Sequence, residues 1–217
     1  MTDIVGTTHL TVVNVRFQRD AIWSLGMVTS LQLLLKNYPD KEFADKMISA
    51  LFQCVRVSQD EVYAEAQQLQ EWAQGKSTTD IALALEAKEG DNSIIASIAR
   101  NIKQDEFWMY SRFFGIGLVK LMDMAGVEMN ADDVYPVMEE WMGKHLGKAH
   151  FTACSDSDTY FKIKEKLDMM ETMMKEIEIR EKKRMAQRLE EKAEAVLRKA
   201  ERDALLAKEV QAEKKSD

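Results

Sequence analysis

His145, His150 and Cys154 are the side chains best suited to hold a metal, separated by four and three residues. A zinc site takes imidazole and thiolate ligands, usually from a CxxC pair or from two histidines one helical turn apart. The spacing fits a polar helix end and loop better, so no metal is expected. Gly115-Ile116-Gly117 supplies two glycines of a dinucleotide-binding loop. The third glycine is missing and no strand precedes them. They read as a place where a second helix comes close, and no cofactor is expected. Asp132, Asp133, Glu139 and Glu140 are paired carboxylates. Carboxylate catalysis needs such groups to converge in a cleft with shifted pKa values, and this spacing does not require it. No nucleophile elbow, HExxH, phosphate loop or kinase set occurs. The expectation is a chain with no catalytic residue, one that works by binding.

Two features could do that binding. Met169-Met170 and Met173-Met174 form an unusual methionine run. Methionine adapts to irregular surfaces, so the run either packs on the helical domain or offers a partner groove. Arg180-Glu181-Lys182-Lys183-Arg184 is a small basic cluster that could touch an acidic membrane surface or protein, or be a solvated face. The candidate partner-binding residues are Leu167, Met170, Met173 and Met174 on the apolar side. On the basic side they are Arg180, Lys183 and Arg184.

The elements that carry these residues read as helices. The chain has 46% hydrophobic residues, 31% charged residues and only 2 prolines and 9 glycines in 217 residues. That composition favours helix over sheet. Thr- and Val-rich residues 3–17 make the one strand-like stretch, read as an extended or helical lead-in. A broad apolar pattern from Asp20 to Asn37-Tyr38-Pro39 predicts a mostly buried helix. A second helix runs from Asp40 to about Val55, with Phe43, Met47, Leu51 and Val55 inward and Cys54 as a small buried hydrophobe. Ser58 and Glu61 suggest a capping box for a third, ending at Gly75. Shorter helices follow over 79–88 and 91–102. The apolar stretch Asp105 to Ala125 is read as the central helix, and Asn130 caps one reaching His145. Cys154 falls in a polar loop, Thr152 to Asp158.

From about Asp158 to Glu213 no helix breaker occurs. A helix over that span would be on the order of 80 Å long, and it needs a coiled-coil partner, a docking surface or its own charge pairs. Ile163, Leu167, Met170, Met174 and Ile177 step by 4, 3, 4, 3, a heptad seam. Met185, Leu189, Ala193, Val196, Ala200, Ala204 and Ala207 step by 4, 4, 3, 4, 4, 3, an eleven-residue period giving a nearly straight coil. The expected organisation is a helical globular domain over 1–155 and a long charged C-terminal helix over 156–217.

The formal charge of −7 repels nucleic acid and anionic lipid through the chain's overall field, which only a local basic patch could override. Two cysteines make no disulfide framework and fit a reducing compartment. The N-terminus shows neither a secretory nor a transit signal, so the expectation is a protein that stays where it is made, or a mature form.

Val13 to Thr29, with Arg19-Asp20-Ala21-Ile22-Trp23-Ser24-Leu25-Gly26-Met27-Val28-Thr29 at its centre, resembles a block of the thylakoid formation protein family that reads like VDFxYDPIFALGVVT. Trp108 to Leu118, containing Tyr110-Ser111-Arg112-Phe113-Phe114-Gly115-Ile116-Gly117-Leu118, is similar to the family's YSRLFAIGL. Asp45 to Cys54 resembles its DSIFNALC helix more loosely. Ala21 stands where the family carries proline, and its leading SDTKxxF segment is absent, which points to a divergent or N-terminally shortened member. The resemblance implies an all-α bundle with a protruding, coiled-coil-like C-terminal helix. It implies a non-enzymatic accessory role in photosystem II assembly and repair and in thylakoid biogenesis. The implied partners are an FtsH-type membrane protease or photosystem subunits. The implied place is the cyanobacterial cytoplasm or chloroplast stroma, peripheral to the thylakoid membrane, as a monomer or a weak coiled-coil self-associate. The rival expectation, from the seam itself, is a self-assembling coiled-coil scaffold.

Overall fold

Asp20 starts the helix on which the bundle is built. Its backbone is extended and its side chain accepts the Trp23 N–H at 2.8 Å, the ordinary chemistry of an N-cap. Helix α2 then runs Ala21–Leu35, and every residue from Ala21 to Leu31 is buried. The computed structural model describes the backbone of residues 2–213 and the side chains of residues 4–200 and 202.

Helix α1 (Thr2–Val12) precedes it, so the Thr/Val-rich lead-in is helical, and it packs on α3 (Lys41–Val55). Asp40 caps α3 through the Phe43 N–H at 2.9 Å. The buried face of α3 is Ala44, Ile48, Leu51, Phe52 and Val55. Phe43 of the expected face is 49% exposed, and Cys54, expected to be buried, is exposed. The reason is register: a face through 44, 48, 51, 52 and 55 leaves 54 outside.

Helix α4 (Gln59–Ala73) begins at Ser58, whose hydroxyl accepts the Glu61 N–H. The Glu61 carboxylate turns to Arg19 instead, at 2.7 Å, so the second half of the expected capping box is spent on an ion pair. A complete capping box occurs one helix later, between Ser77 and Asp80 at the head of α5 (Thr78–Leu85). Helices α6 (Ile94–Gln104), α7 (Arg112–Met124) and α8 (Ala131–Met138) are capped by Ser93, Ser111 and Asn130. The chain continues from α8 into a π-helical stretch, Glu139–His145. The expected central helix thus begins at Arg112 rather than Asp105; residues before it are irregular, and Phe107 is 62% exposed. Helix α9 (Phe151–Glu213) starts earlier than the composition suggested. Thr152 to Asp158 is helical, with Ala153, Cys154 and Ser157 buried.

The described residues are all-α: a helical bundle followed by one long C-terminal helix. The chain divides into two compact units, one ending at Leu167 and one starting at Asp168. In the first, α2 lies against α7 and α4. The α2–α7 crossing is made by glycine. A Cβ on Gly26 would run into the Phe113 carbonyl and stand 2.6 Å from the Gly117 amide nitrogen; one on Gly117 would run into the Ile22 carbonyl. Trp23 fills the space beside the crossing, edge-on to Phe17 at 5.3 Å and to Phe113 at 5.9 Å.

Candidate docking surfaces

The Tyr110-Ser111-Arg112 stretch does three jobs with three neighbouring residues. Ser111 caps α7 by accepting the Phe114 N–H. Tyr110 donates its hydroxyl to Asp156 Oδ2 at 2.9 Å, and Arg112 donates Nε to Asp156 Oδ1 at 2.9 Å. Asp156 itself is 8% exposed. Burial, and next the Asp156 charge, push the Tyr110 hydroxyl well above the usual phenol range, so it is a donor at every working pH. Two residues on, Tyr135 donates to Asp158 at 2.6 Å, and that bond holds its hydroxyl up at about 12. These tyrosines and aspartates fasten the first turns of α9. Neither tyrosine gives up its proton near neutral pH.

Beside this clasp lies a groove of about 230 Å³, walled by Ile4, Leu33, Leu34, Phe113, Ile116 and Ile163, with Arg112 and Asp156 at its polar end. Its lining comes from α1, α2, α7 and α9, four segments that sequence spacing does not bring together.

A second polar cluster, which sequence spacing does not bring together, surrounds Arg19. Arg19 bridges Glu61 and Glu65 at 2.7 and 2.9 Å, and Ser24 donates to Glu65. Asp20, half-buried as a residue, has its carboxylate withdrawn from water beside this cluster. Burial lifts its pKa to about 7, against the lowering effect of the Trp23 and Ile22 N–H groups, and Glu65 adds a smaller upward push. The signal available in sequence was only Arg19-Asp20 ahead of an apolar helix.

The expected chemistry-bearing residues are dispersed. His145 is buried with Nδ1 3.9 Å from Glu86 and Nε2 3.7 Å from Glu140, while His150 stacks on Phe151 at 4.3 Å. Burial foremost, then Asp158 and Glu139, raises the Cys154 thiol, the wrong direction for a thiolate ligand. Glu86 and Glu140 approach opposite nitrogens of the His145 ring, and among the described residues no three His, Cys, Asp or Glu side chains are placed to hold a metal ion. Gly115 and Gly117 serve close approach: a Cβ on Gly115 would strike the Tyr110 hydroxyl.

The expected partner-binding residues separate into two groups. Leu167 ends the first unit, half-buried, and its carbonyl accepts the Asn37 Nδ2–H at 3.0 Å. The others lie in the second unit. Met170, Met173 and Met174 are 52, 58 and 52% exposed. Arg180 pairs with Glu176 at 3.3 Å, whereas Lys183 and Arg184 are exposed with no ion pair among the described residues. Apolar exposure continues along the helix through Ile177, Met185, Leu189 and Val196. Of the distal seam, Ala204 and Ala207 lie outside the residues whose side chains are described.

The family model described as "Thylakoid formation protein" matches residues 1–189. The chain is 27% identical over 198 residues to Protein THYLAKOID FORMATION1, chloroplastic, of Solanum tuberosum, covering 91% of this chain and 65% of that one. It is 28% identical to the protein of the same name from Oryza sativa subsp. japonica, spanning 84% of this chain and 61% of the relative. It therefore spans somewhat less than two thirds of these plant relatives. Protein Thf1 of Crocosphaera subtropica is 29% identical, over 87% of this chain and 78% of its own length. A solved structure of Psb29 shares the fold with a TM-score of 0.63 at 18% identity, over 76% of this chain and 84% of that one. With a family match that covers most of its length, this chain belongs to the thylakoid formation protein family.

Proposed function

We propose that this chain is a non-enzymatic accessory protein of thylakoid biogenesis and of photosystem II assembly and repair. It binds and stabilises an FtsH-type membrane protease or photosystem subunits, from the stromal or cyanobacterial cytoplasmic side of the thylakoid. The observation that carries the reading is the exposed methionine face Met170, Met173 and Met174 in a member of this family. An apolar, pliable face left in water is what a helix-docking partner covers. The residues able to do chemistry support a binding role, because the bundle spends them on its own joints. No described helix is long and apolar enough to cross a membrane, which is compatible with peripheral attachment. The test is complementation: in a photosynthetic host lacking its own family member, this chain restores photosystem II recovery after high light and the level of the FtsH-type protease. Full recovery without it, or none with it, contradicts the proposal.

A second reading has its own observation. Met170, Met174 and Ile177 continue a heptad and are all about half exposed, as a self-pairing seam would be in a lone chain. On that reading the protein is a coiled-coil scaffold, and sedimentation at high micromolar concentration returns a dimer or larger.

A further inference from the structure

Between Arg184 and Ala200 the C-terminal helix sorts its charges by side. At ~100° per residue, Met185, Leu189, Ala193, Val196 and Ala200 share one strip of the helix surface. Arg184, Arg188, Lys192 and Lys199 form a second strip directly beside it, each one residue ahead of an apolar one. Together the strips cover roughly half the circumference. The acidic residues of this span, Glu190, Glu191 and Glu194, all fall outside that arc.

The pairing pattern sharpens the division. Outside the arc four basic residues of this unit are neutralised one turn away, Lys175 by Glu171, Arg180 by Glu176, Lys182 by Glu178 and Arg198 by Glu194, while Lys183 and Arg202 have no ion pair among the described residues. Arg184, Arg188, Lys192 and Lys199 are exposed and carry no acidic partner among the described residues. Met185, Leu189 and Val196 beside them are 63, 66 and 68% exposed. A row of cations with no acidic partner among the described residues, along an exposed apolar row in a chain of net charge −7, is a local inversion of the protein's own field.

We infer that this arc of the helix, Arg184 to Ala200, lies on an anionic lipid surface. The surface it complements is flat, apolar below and negative at its edge. A bilayer containing acidic glycerolipids presents that arrangement, since the apolar row enters the acyl boundary while Lys and Arg stems reach out to the phosphate or sulfonate level. The small side chains Ala193 and Ala200 make the insertion shallow, so attraction between charges dominates and the attachment is reversible and salt-sensitive. A coiled-coil partner is a poorer fit, because a narrow Ala-rich seam gives little to interdigitate. This inference rests on the peripheral thylakoid location proposed above. It assigns membrane contact to residues distinct from the Met170 and Met174 face assigned to a protein partner.

The test is flotation of the whole chain with vesicles of phosphatidylcholine alone and of phosphatidylcholine mixed equally with phosphatidylglycerol. The native chain floats with the anionic vesicles, is released by high salt, and stays down with the neutral ones. Arg188→Gln with Lys192→Gln weakens flotation by about tenfold or more. Arg180→Gln with Arg198→Gln, the same loss of charge from paired positions outside the arc, changes it by less than about threefold. Val196→Glu with Leu189→Glu also abolishes flotation, and far-ultraviolet circular dichroism confirms that each variant keeps its helix. Equal binding to neutral and anionic vesicles, or equal effects of the two glutamine pairs, overturns the inference. So does an arc whose substitution alters sedimentation of the free chain but leaves flotation intact, since the arc would then serve a second copy. Recovery of the FtsH-type protease by the native chain and by the Arg188→Gln/Lys192→Gln pair alike leaves the protein-docking reading standing whatever the vesicles show.

Discussion

The Tyr110 hydroxyl donates to Oδ2 of Asp156 while Arg112 Nε takes Oδ1, so a single buried carboxylate joins the segment ahead of α7 to the second turn of α9. Tyr110→Phe removes one bond and costs ~1 kcal/mol in urea unfolding. Asp156→Ala strands the Tyr110 hydroxyl in a mostly buried site and costs ~2 kcal/mol. Amides of residues 154–163 lose hydrogen-exchange protection before the rest of the bundle. If the double substitution costs the plain sum of the two, the pair is not coupled and the clasp is wrong.

Glycine sets the α2–α7 distance. Gly26→Ala or Gly117→Ala puts a methyl group against backbone, which cannot swing aside, and destabilises by ~3 kcal/mol or more. Gly6→Ala, whose added Cβ meets nothing within 4 Å in α1, gains up to ~1 kcal/mol. Thermal melts of the three variants decide it; similar midpoints would remove the close crossing from the account.

The two cysteines differ in reach. Cys54 is exposed, and Cys154 is buried with its thiol raised. A maleimide modifies Cys54 rapidly in the native protein and Cys154 only after denaturant is added. Rapid double labelling without denaturant contradicts the packing of the first turns of α9.

Asp20 makes stability depend on pH in an unusual direction for a carboxylate. Its pKa is about 7 in the fold and 3.8 as the ordinary value, so the folded state holds the proton more tightly. Its contribution is intact below pH ~4, declines by up to ~1.4 kcal/mol per pH unit as pH rises toward 7, and is constant above. Asp20→Asn keeps an N-cap without the charge, so it flattens that decline and raises the melting temperature at pH 8. Superimposable pH profiles for the two proteins would refute the assignment.

Much of this was legible in the residues. Asp20, Pro39, Ser58 and Asn130 mark helix ends by local chemistry, and local chemistry survives folding. Gly115-Ile116-Gly117 reads correctly as a close approach because a helical pattern surrounds it. The α3 face differs from the expected one because Phe43 and Met47 fit a stripe as well as Ala44 and Ile48 do, and the neighbours that settle the choice, α1 and Tyr63 of α4, are set by the tertiary fold. The irregular run before α7 looked helical for its apolar content. Asp105 holds it otherwise: its carboxylate accepts the Phe107 N–H and its carbonyl accepts Lys148 Nζ, 43 residues away. Asp156, Arg19 and Glu65 were unreadable for the same reason, since their partners are distant in sequence.

The most direct test of the docking role is recovery of partners from detergent-solubilised thylakoid membranes by the tagged whole chain and by its Met170→Glu/Met174→Glu variant, read by immunoblot. Both positions are about half exposed on a helix, so the charges leave the fold unchanged. The native chain retains the FtsH-type protease or photosystem II subunits, and the variant loses about tenfold or more of that signal. Equal recovery by the two chains, or no recovery by the native one, contradicts the claim that this methionine face holds the partner.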